Sequence, residues 1–292
     1  VVPSDRALRT TLSPFRNGTR DPTTRLEPGR FVRATLTPDG PGTLEISWSG
    51  SKLAVRGWGP GGEHLVAGAG ALIGGHDAPP PLVGPHHAVA RAQRHHPDLR
   101  LGASGNLYHE LLPAILAQRI TGGEAVRQWR GLCEQLGEPA PGPHDLRLPP
   151  RPERLAGTPT WWFHPLGIER RRAAAMVEVA RHASKLWGWA AAGSAAAAGR
   201  LSLVRGVGEW TIGVVLGIAL GEPDAVAVGD YHLKNIVAHA LAGEPRATDE
   251  RMLELLEPYR GQRGRVVRLL VLDGHGAPAF GPRRRILPMH RW

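Results

Sequence analysis

Apolar positions follow two different periods along this chain, and the change of period divides it. Over Arg30–Leu36, Thr43–Trp48 and Lys52–Trp58 apolar and polar residues partly alternate, the pattern of half-buried strands. Pro38-Asp39-Gly40-Pro41-Gly42 between the first two is turn chemistry, and Gly62–Leu72 reads as a short helix. These elements predict a small antiparallel sheet with one or more helices over residues 1–80. Residues 1–25, dominated by arginine, threonine and proline, are expected to drape over the surface.

Beyond the Pro- and His-rich linker His76–His87 the spacing becomes helical. Leu107–Ile120 puts Leu111, Leu112, Ile115 and Leu116 on one buried face despite Pro113, and Thr121-Gly122-Gly123 ends it. Further helices are predicted over Glu124–Leu136, over Ile168–Leu186 with the basic start Arg170-Arg171-Arg172, near Thr248–Leu256 and over Arg263–Leu272. A Pro-rich loop, Pro139–Pro152, separates Glu124–Leu136 from an aromatic cluster, Trp161-Trp162-Phe163-His164. The last stretch, Gly281-Pro282-Arg283-Arg284-Arg285, is a basic tail.

The stretch Leu201–His239 organises the helical part. An Ala-rich helix over Ser194–Leu203 runs into Arg205-Gly206-Val207-Gly208, two glycines flanking one apolar residue, and Glu209–Leu220 reads as a buried helix. A turn that aims backbone N–H groups outward at a helix N-terminus is an anion site, and DNA phosphate is the obvious anion. After Gly221-Glu222-Pro223 and the apolar run Ala225–Val228 comes Gly229-Asp230-Tyr231-His232, with Asp230 where an N-cap would start a helix His232–Leu241.

Composition narrows the chemistry. The chain has 292 residues, room for two or three domains, and its arginine-rich net charge of +10 favours a polyanionic partner. A single cysteine, Cys133, excludes a disulfide framework and fits a reducing compartment. With no signal peptide and no apolar run of membrane length, a cytoplasmic, nucleoid-associated protein is expected, with no membrane partner. The fourteen histidines form no HExxH and no zinc-type spacing, and Gly59–Gly62 lacks the Lys-Ser/Thr of a phosphate loop.

LVRGVGEWT (Leu203–Thr211) and VGDYHLKN (Val228–Asn235) together resemble the helix-hairpin-helix DNA glycosylases, most closely the DNA-3-methyladenine glycosylase II branch. The resemblance covers about Leu101–Leu272 well and the N-terminal part loosely. It implies a mostly α fold of two helical lobes with a DNA-binding cleft between them, preceded by a small N-terminal α+β sheet domain. Residues 1–80 would form the sheet domain and 81–292 the helical body, with the hairpin at 203–211 and the basic tail at its end.

The family's catalytic aspartate falls on Asp230. An anionic carboxylate facing C1′ stabilises an oxocarbenium-like state and orients the attacking water. Taken alone Asp230 reads better as a plain N-cap, and it is the hairpin at the family's spacing that favours catalysis. Trp210 stands where glycosylases with lyase activity carry a Schiff-base lysine, so the resemblance implies a monofunctional hydrolase. Trp210 either lines the base pocket or belongs to the core. Trp161, Trp162 and His164 are either core or domain seam, or one wall of that pocket.

In the hairpin, Arg205, Gly206, Val207, Gly208 and Thr211 are implied DNA contacts, with the Gly206 and Gly208 N–H groups on a phosphate. The carbonyls of Leu203, Arg205 and Val207 are implied ligands of a structural Na+ or K+. Arg205 departs from the family's usual proline and adds a candidate phosphate contact. His232 and Lys234 follow the acid on its helix near the DNA backbone, although Lys234 also reads as a solvated residue. Gln118 or Arg119 is the candidate plug for the gap left by a flipped nucleotide. The four-cysteine iron–sulfur cluster of some related glycosylases is excluded by the cysteine count, and no other cofactor is implied.

The reading is therefore base-excision hydrolysis of damaged purines, N3- or N7-alkylated, from duplex DNA by a monomer. Two alternatives stay open: a different lesion (deaminated, oxidised or bulky), or a non-catalytic DNA-binding protein in which Asp230 is only a cap.

Overall fold

The computed structural model of the chain describes residues 3–278. The basic tail Gly281–Arg285 lies outside the described residues. Four antiparallel strands, β1 (Thr24–Glu27), β2 (Arg30–Thr37), β3 (Gly40–Ser49) and β4 (Lys52–Trp58), pair in sequence order. The register sets Phe31 opposite Ile46 and Arg33 opposite Leu44. Phe31, Leu44 and Ile46 face a core closed by helices α1 (Asp5–Leu12) and α2 (Gly62–Leu72). Val32 and Ala34 on the other face meet Leu146 and Leu148. Because β2 is covered on both faces, its sequence alternates only in part.

Helix α1 corrects the expectation that residues 1–25 drape over the surface. Its average composition is polar, but Leu8 and Leu12 fall four apart and are fully buried with Phe15, and the Ser4 side chain accepts from the Ala7 N–H as N-cap. Strand β1 also begins inside that segment.

The rest is helical: α3 (His87–His95), α4 (Leu107–Leu116), α5 (Gly122–Leu136), α6 (Pro152–Gly157), α7 (Arg170–Arg181), α8 (Ala183–Ala191), α9 (Ser194–Leu201), α10 (Glu209–Ala219), α11 (Leu233–Ala242), α12 (Asp249–Leu256) and α13 (Arg263–Leu272). The single helix expected over Ile168–Leu186 is two, broken at His182, where ψ reaches 0°. Helices α4–α10 share one core around Leu111, Trp129, Met176 and Val215, whereas α3, α11, α12 and α13 share a second around Val237, Met252, Leu256 and Val266. The segment 220–232 connects the two. No helix among the described residues is long and apolar enough to cross a membrane.

Sheet and helical body are joined by buried polar groups. Asn106 Nδ2 donates to Thr35 Oγ1 (2.9 Å), which lies 2.8 Å from His109 Nδ1. His109 Nε2 lies 3.3 Å from Thr23 Oγ1, and Thr23 gives its only proton to Asp21 Oδ1 (2.8 Å). The Thr23 oxygen must therefore accept, which fixes the His109 proton on Nε2 and makes Nδ1 the acceptor of the Thr35 hydroxyl. Burial pushes the His109 imidazolium well below its ordinary range, with the charge of Arg33 acting in the same direction. Beside it Arg33 pairs with Glu110 at 2.6 Å, both side chains almost inaccessible.

Candidate active site

The loop Arg205–Gly208 is built on the side of α7. Gly206 has φ +90°, and a Cβ there would stand 2.5 Å from Ala175 Cβ, so both backbone conformation and space require glycine. Gly208 is different: its φ is −97° and a Cβ would meet nothing within 4 Å. The fold leaves that position open, and its N–H donates to no group among the described residues; neither does that of Gly206. Arg205 and Leu203 are exposed at the same edge, Leu203 at 84%.

Asp230 lies where the first turns of α10 and α11 meet. Its Oδ1 accepts from the backbone N–H of His232 (2.8 Å) and Leu233 (3.0 Å), so it caps α11 from three residues before the first helical position. Its Oδ2 accepts from the Trp210 indole N–H at 3.0 Å. The acid is thus fixed to both helices and to the junction of the two cores. Three donors aimed at one partly buried carboxylate give a preorganised anion. Trp210 is half-buried with its N–H edge committed to Asp230.

Gln118 ties the end of α4 to the hairpin. Its Nε2 donates to the Gly206 carbonyl and to Thr211 Oγ1, each at 2.9 Å. The side chain is therefore committed within the protein, which corrects its candidacy as a plug. Thr211 is corrected with it, since it is 1% exposed and its hydroxyl is taken by Gln118. Arg119, next in sequence, is exposed and holds φ +60°, a left-handed conformation rare outside glycine and asparagine. Behind this loop the buried Arg172 donates Nη1 to the Leu116 carbonyl and to Gln128 Oε1. Burial lowers the Arg172 pKa.

Val207 packs its side chain into the main core, leaving only its backbone at the surface. The carbonyls of Leu203, Arg205 and Val207 accept no hydrogen bond among the described residues.

The hairpin's free N–H groups thus stand one helix away from a donor-held carboxylate, in a chain of net charge +10. Solved structures carry the same arrangement of chain. A 3-methyladenine DNA glycosylase from Archaeoglobus fulgidus superimposes with a TM-score of 0.73 at 18% identity, over 91% of this chain and 95% of that one. This chain has the helix-hairpin-helix DNA glycosylase fold. An 8-oxoguanine glycosylase/lyase from Clostridium acetobutylicum, in complex with dsDNA containing cytosine opposite 8-oxoG, matches with a TM-score of 0.64 at 12% identity, over 91% of each chain. A 3-methyladenine DNA glycosylase from Schizosaccharomyces pombe, in complex with abasic DNA, matches with a TM-score of 0.54 at 18% identity, over 66% of this chain and 94% of that one. No protein-family model matches the sequence, and no curated protein does.

The aromatic cluster forms a short segment of its own. Trp161, Trp162 and His164 belong to a 3₁₀ segment, Thr160–Leu166, that packs on α5 and α7. Phe163 is its fully buried anchor, Trp162 stacks edge-on against it, and Trp161 is 73% exposed. Phe163 and Trp162 thus fit the core-or-seam alternative, and Trp161 does not share their burial. A cavity of about 220 Å³ lies at the seam of sheet and helical body, lined by Arg33, Thr35, His64, Leu72, Asn106 and Leu220, and does not include Asp230.

Around the acid two residues stand out that the sequence reading passed over. Tyr231 is 78% exposed and sets its ring edge-on to His232, 4.9 Å away. Asp249 accepts from the Gly229 N–H (3.0 Å) and from Lys234 Nζ (3.1 Å), which pairs Lys234 inside the protein. Nothing in the local sequence marks Asp249, because both of its partners lie at least fifteen residues away.

Proposed function

We propose that this protein is a monofunctional DNA glycosylase that hydrolyses the N-glycosidic bond of N3- or N7-alkylated purines in duplex DNA. The observation that carries the reading is the Asp230 carboxylate, held by the His232 and Leu233 N–H groups and the Trp210 indole beside a hairpin with free N–H donors. In the proposed complex Gly206 and Gly208 donate to a phosphate of the damaged strand and Arg205 adds charge to that contact. Arg119, already in a left-handed conformation, enters the gap left by the flipped nucleotide. A Na+ or K+ on the Leu203, Arg205 and Val207 carbonyls would add positive charge beside the phosphate.

Alkylation at N3 or N7 makes the purine a cationic leaving group, so bond breaking needs no dedicated acid. The Asp230 anion stabilises the positive charge that develops on the sugar and orients water toward C1′. The side chain at position 210, an indole bound to Asp230, offers no amine for a Schiff base. The strand is therefore expected to remain intact beside an abasic site.

The test is incubation of the protein with methylated duplex DNA, reading free base and strand breaks separately, before and after alkali. Release of 3-methyladenine or 7-methylguanine, with breaks only after alkali, supports the reading. Strand cleavage without alkali contradicts the monofunctional part. Duplex binding without release from any alkylated, deaminated or oxidised substrate contradicts the enzymatic part.

A further inference from the structure

The loop that carries Asp230 is held from behind by a second acid. Asp249 is the first residue of α12, yet it does not cap that helix: the Thr248 side chain does so, accepting from the Arg251 N–H. The Asp249 carboxylate points at the neighbouring loop instead. Its Oδ1 accepts from the N–H of Gly229 at 3.0 Å and its Oδ2 from Lys234 Nζ at 3.1 Å, with the two charged side chains only 22% and 28% exposed. Gly229 immediately precedes Asp230 and holds φ +88°, although a Cβ there would meet nothing within 4 Å. Conformation, not space, is what requires glycine, and Asp249 supplies the hydrogen bond that fixes it.

Lys234 lies four residues after Asp230 and, with the acid capping that helix, about one turn along it. An ammonium there, if unpaired, would be attracted to the Asp230 carboxylate and would neutralise the anion that a developing oxocarbenium ion needs. In the structure it donates to Asp249. We propose that Asp249 is a positioning residue for Asp230, pinning the backbone before the acid and holding Lys234 away from it. This rests on the reading of Asp230 as the reacting carboxylate.

The experiment is single-turnover base release from alkylated duplex DNA, with affinity for an abasic-site duplex and thermal unfolding measured on the same proteins. Asp249→Asn keeps an oxygen for Gly229 but releases Lys234. Its rate is expected to fall by about ten- to a hundredfold, the scale of a reacting group misplaced by about an ångström, while affinity and melting temperature stay near wild type. Adding Lys234→Met to Asp249→Asn is expected to restore most of the rate. Adding it to Asp249→Ala is not, because the Gly229 N–H then has no acceptor. A rate for Asp249→Asn within twofold of wild type overturns the proposal, and so does a loss that Lys234→Met leaves unrepaired. Asp230→Asn is run alongside: if it releases base at the wild-type rate, the reading of the acid fails whatever Asp249 does.

Discussion

Replacing Gly206 and Gly208 by alanine, one at a time, separates what the fold demands of the hairpin from what its partner demands. At Gly206 the backbone sits at φ +90° and the new methyl would stand 2.5 Å from Ala175 Cβ and 3.3 Å from Ala175 Cα. The left-handed conformation costs roughly 1–2 kcal/mol for an L-residue, and forcing a methyl into a packed contact costs about 1–3 kcal/mol more. At about 2–4 °C per kcal/mol for a chain of this size, the melting temperature should fall by roughly 4–20 °C. At Gly208 the backbone is extended and the site open, so alanine should change stability by no more than about 1 kcal/mol. That methyl would occupy the space through which a phosphate reaches the N–H, and losing a charged hydrogen bond weakens DNA binding by about ten- to a hundredfold. Thermal unfolding and fluorescence anisotropy with an abasic-site duplex read the two effects. A Gly208→Ala protein that binds DNA like wild type would refute the phosphate argument. A Gly206→Ala protein that melts like wild type would refute the packing argument.

Two further predictions concern strain and titration. Arg119→Gly relieves the left-handed conformation at a backbone-entropy cost of about 0.5–1 kcal/mol, so stability should stay level or rise by up to about 1 kcal/mol. Base release should nonetheless fall, and a variant as active as wild type would remove Arg119 from the plug role. His109 is buried neutral with its pKa held well below 6.5, so below pH about 6.5 the unfolded chain takes up a proton that the folded chain does not. That group's contribution is intact above pH 6.5 and is lost as pH falls, by up to about 1.4 kcal/mol between pH 7.5 and 5.5. Urea unfolding at both pH values should show a smaller loss for His109→Gln than for wild type, and an equal loss contradicts the assignment.

Local pattern and turn chemistry carried much of the fold. Strand Lys52–Trp58 and helices Gly62–Leu72 and Arg263–Leu272 occur with the bounds their periodicity predicts. Helix α1 was hidden because a mostly polar segment needs only Leu8, Leu12 and Phe15 to reach the core. The break at His182 was hidden because the apolar pattern continues through it into α8. At the site, Asp230 and the hairpin glycines stood out through spacing. The engagement of Gln118 with Thr211, and of Lys234 with Asp249, did not, since a hydrogen bond between distant residues leaves no local signature. Where Trp161–His164 pack was hidden for the same reason: density of aromatics in sequence says nothing about which helices they meet.

In the proposed reaction the Asp230 carboxylate performs the chemistry. Asp230→Asn keeps an oxygen for the His232 and Leu233 N–H groups but turns an amide N–H toward the Trp210 indole N–H, a local cost of about 1 kcal/mol that a protein of this size tolerates. Base release from methylated duplex DNA, under single-turnover conditions with folded fractions matched, is the direct measurement. Wild type should give free alkylpurine and an alkali-labile intact strand, and Asp230→Asn at least about a hundredfold less with lesion binding retained. Equal release by both proteins would contradict that role of Asp230.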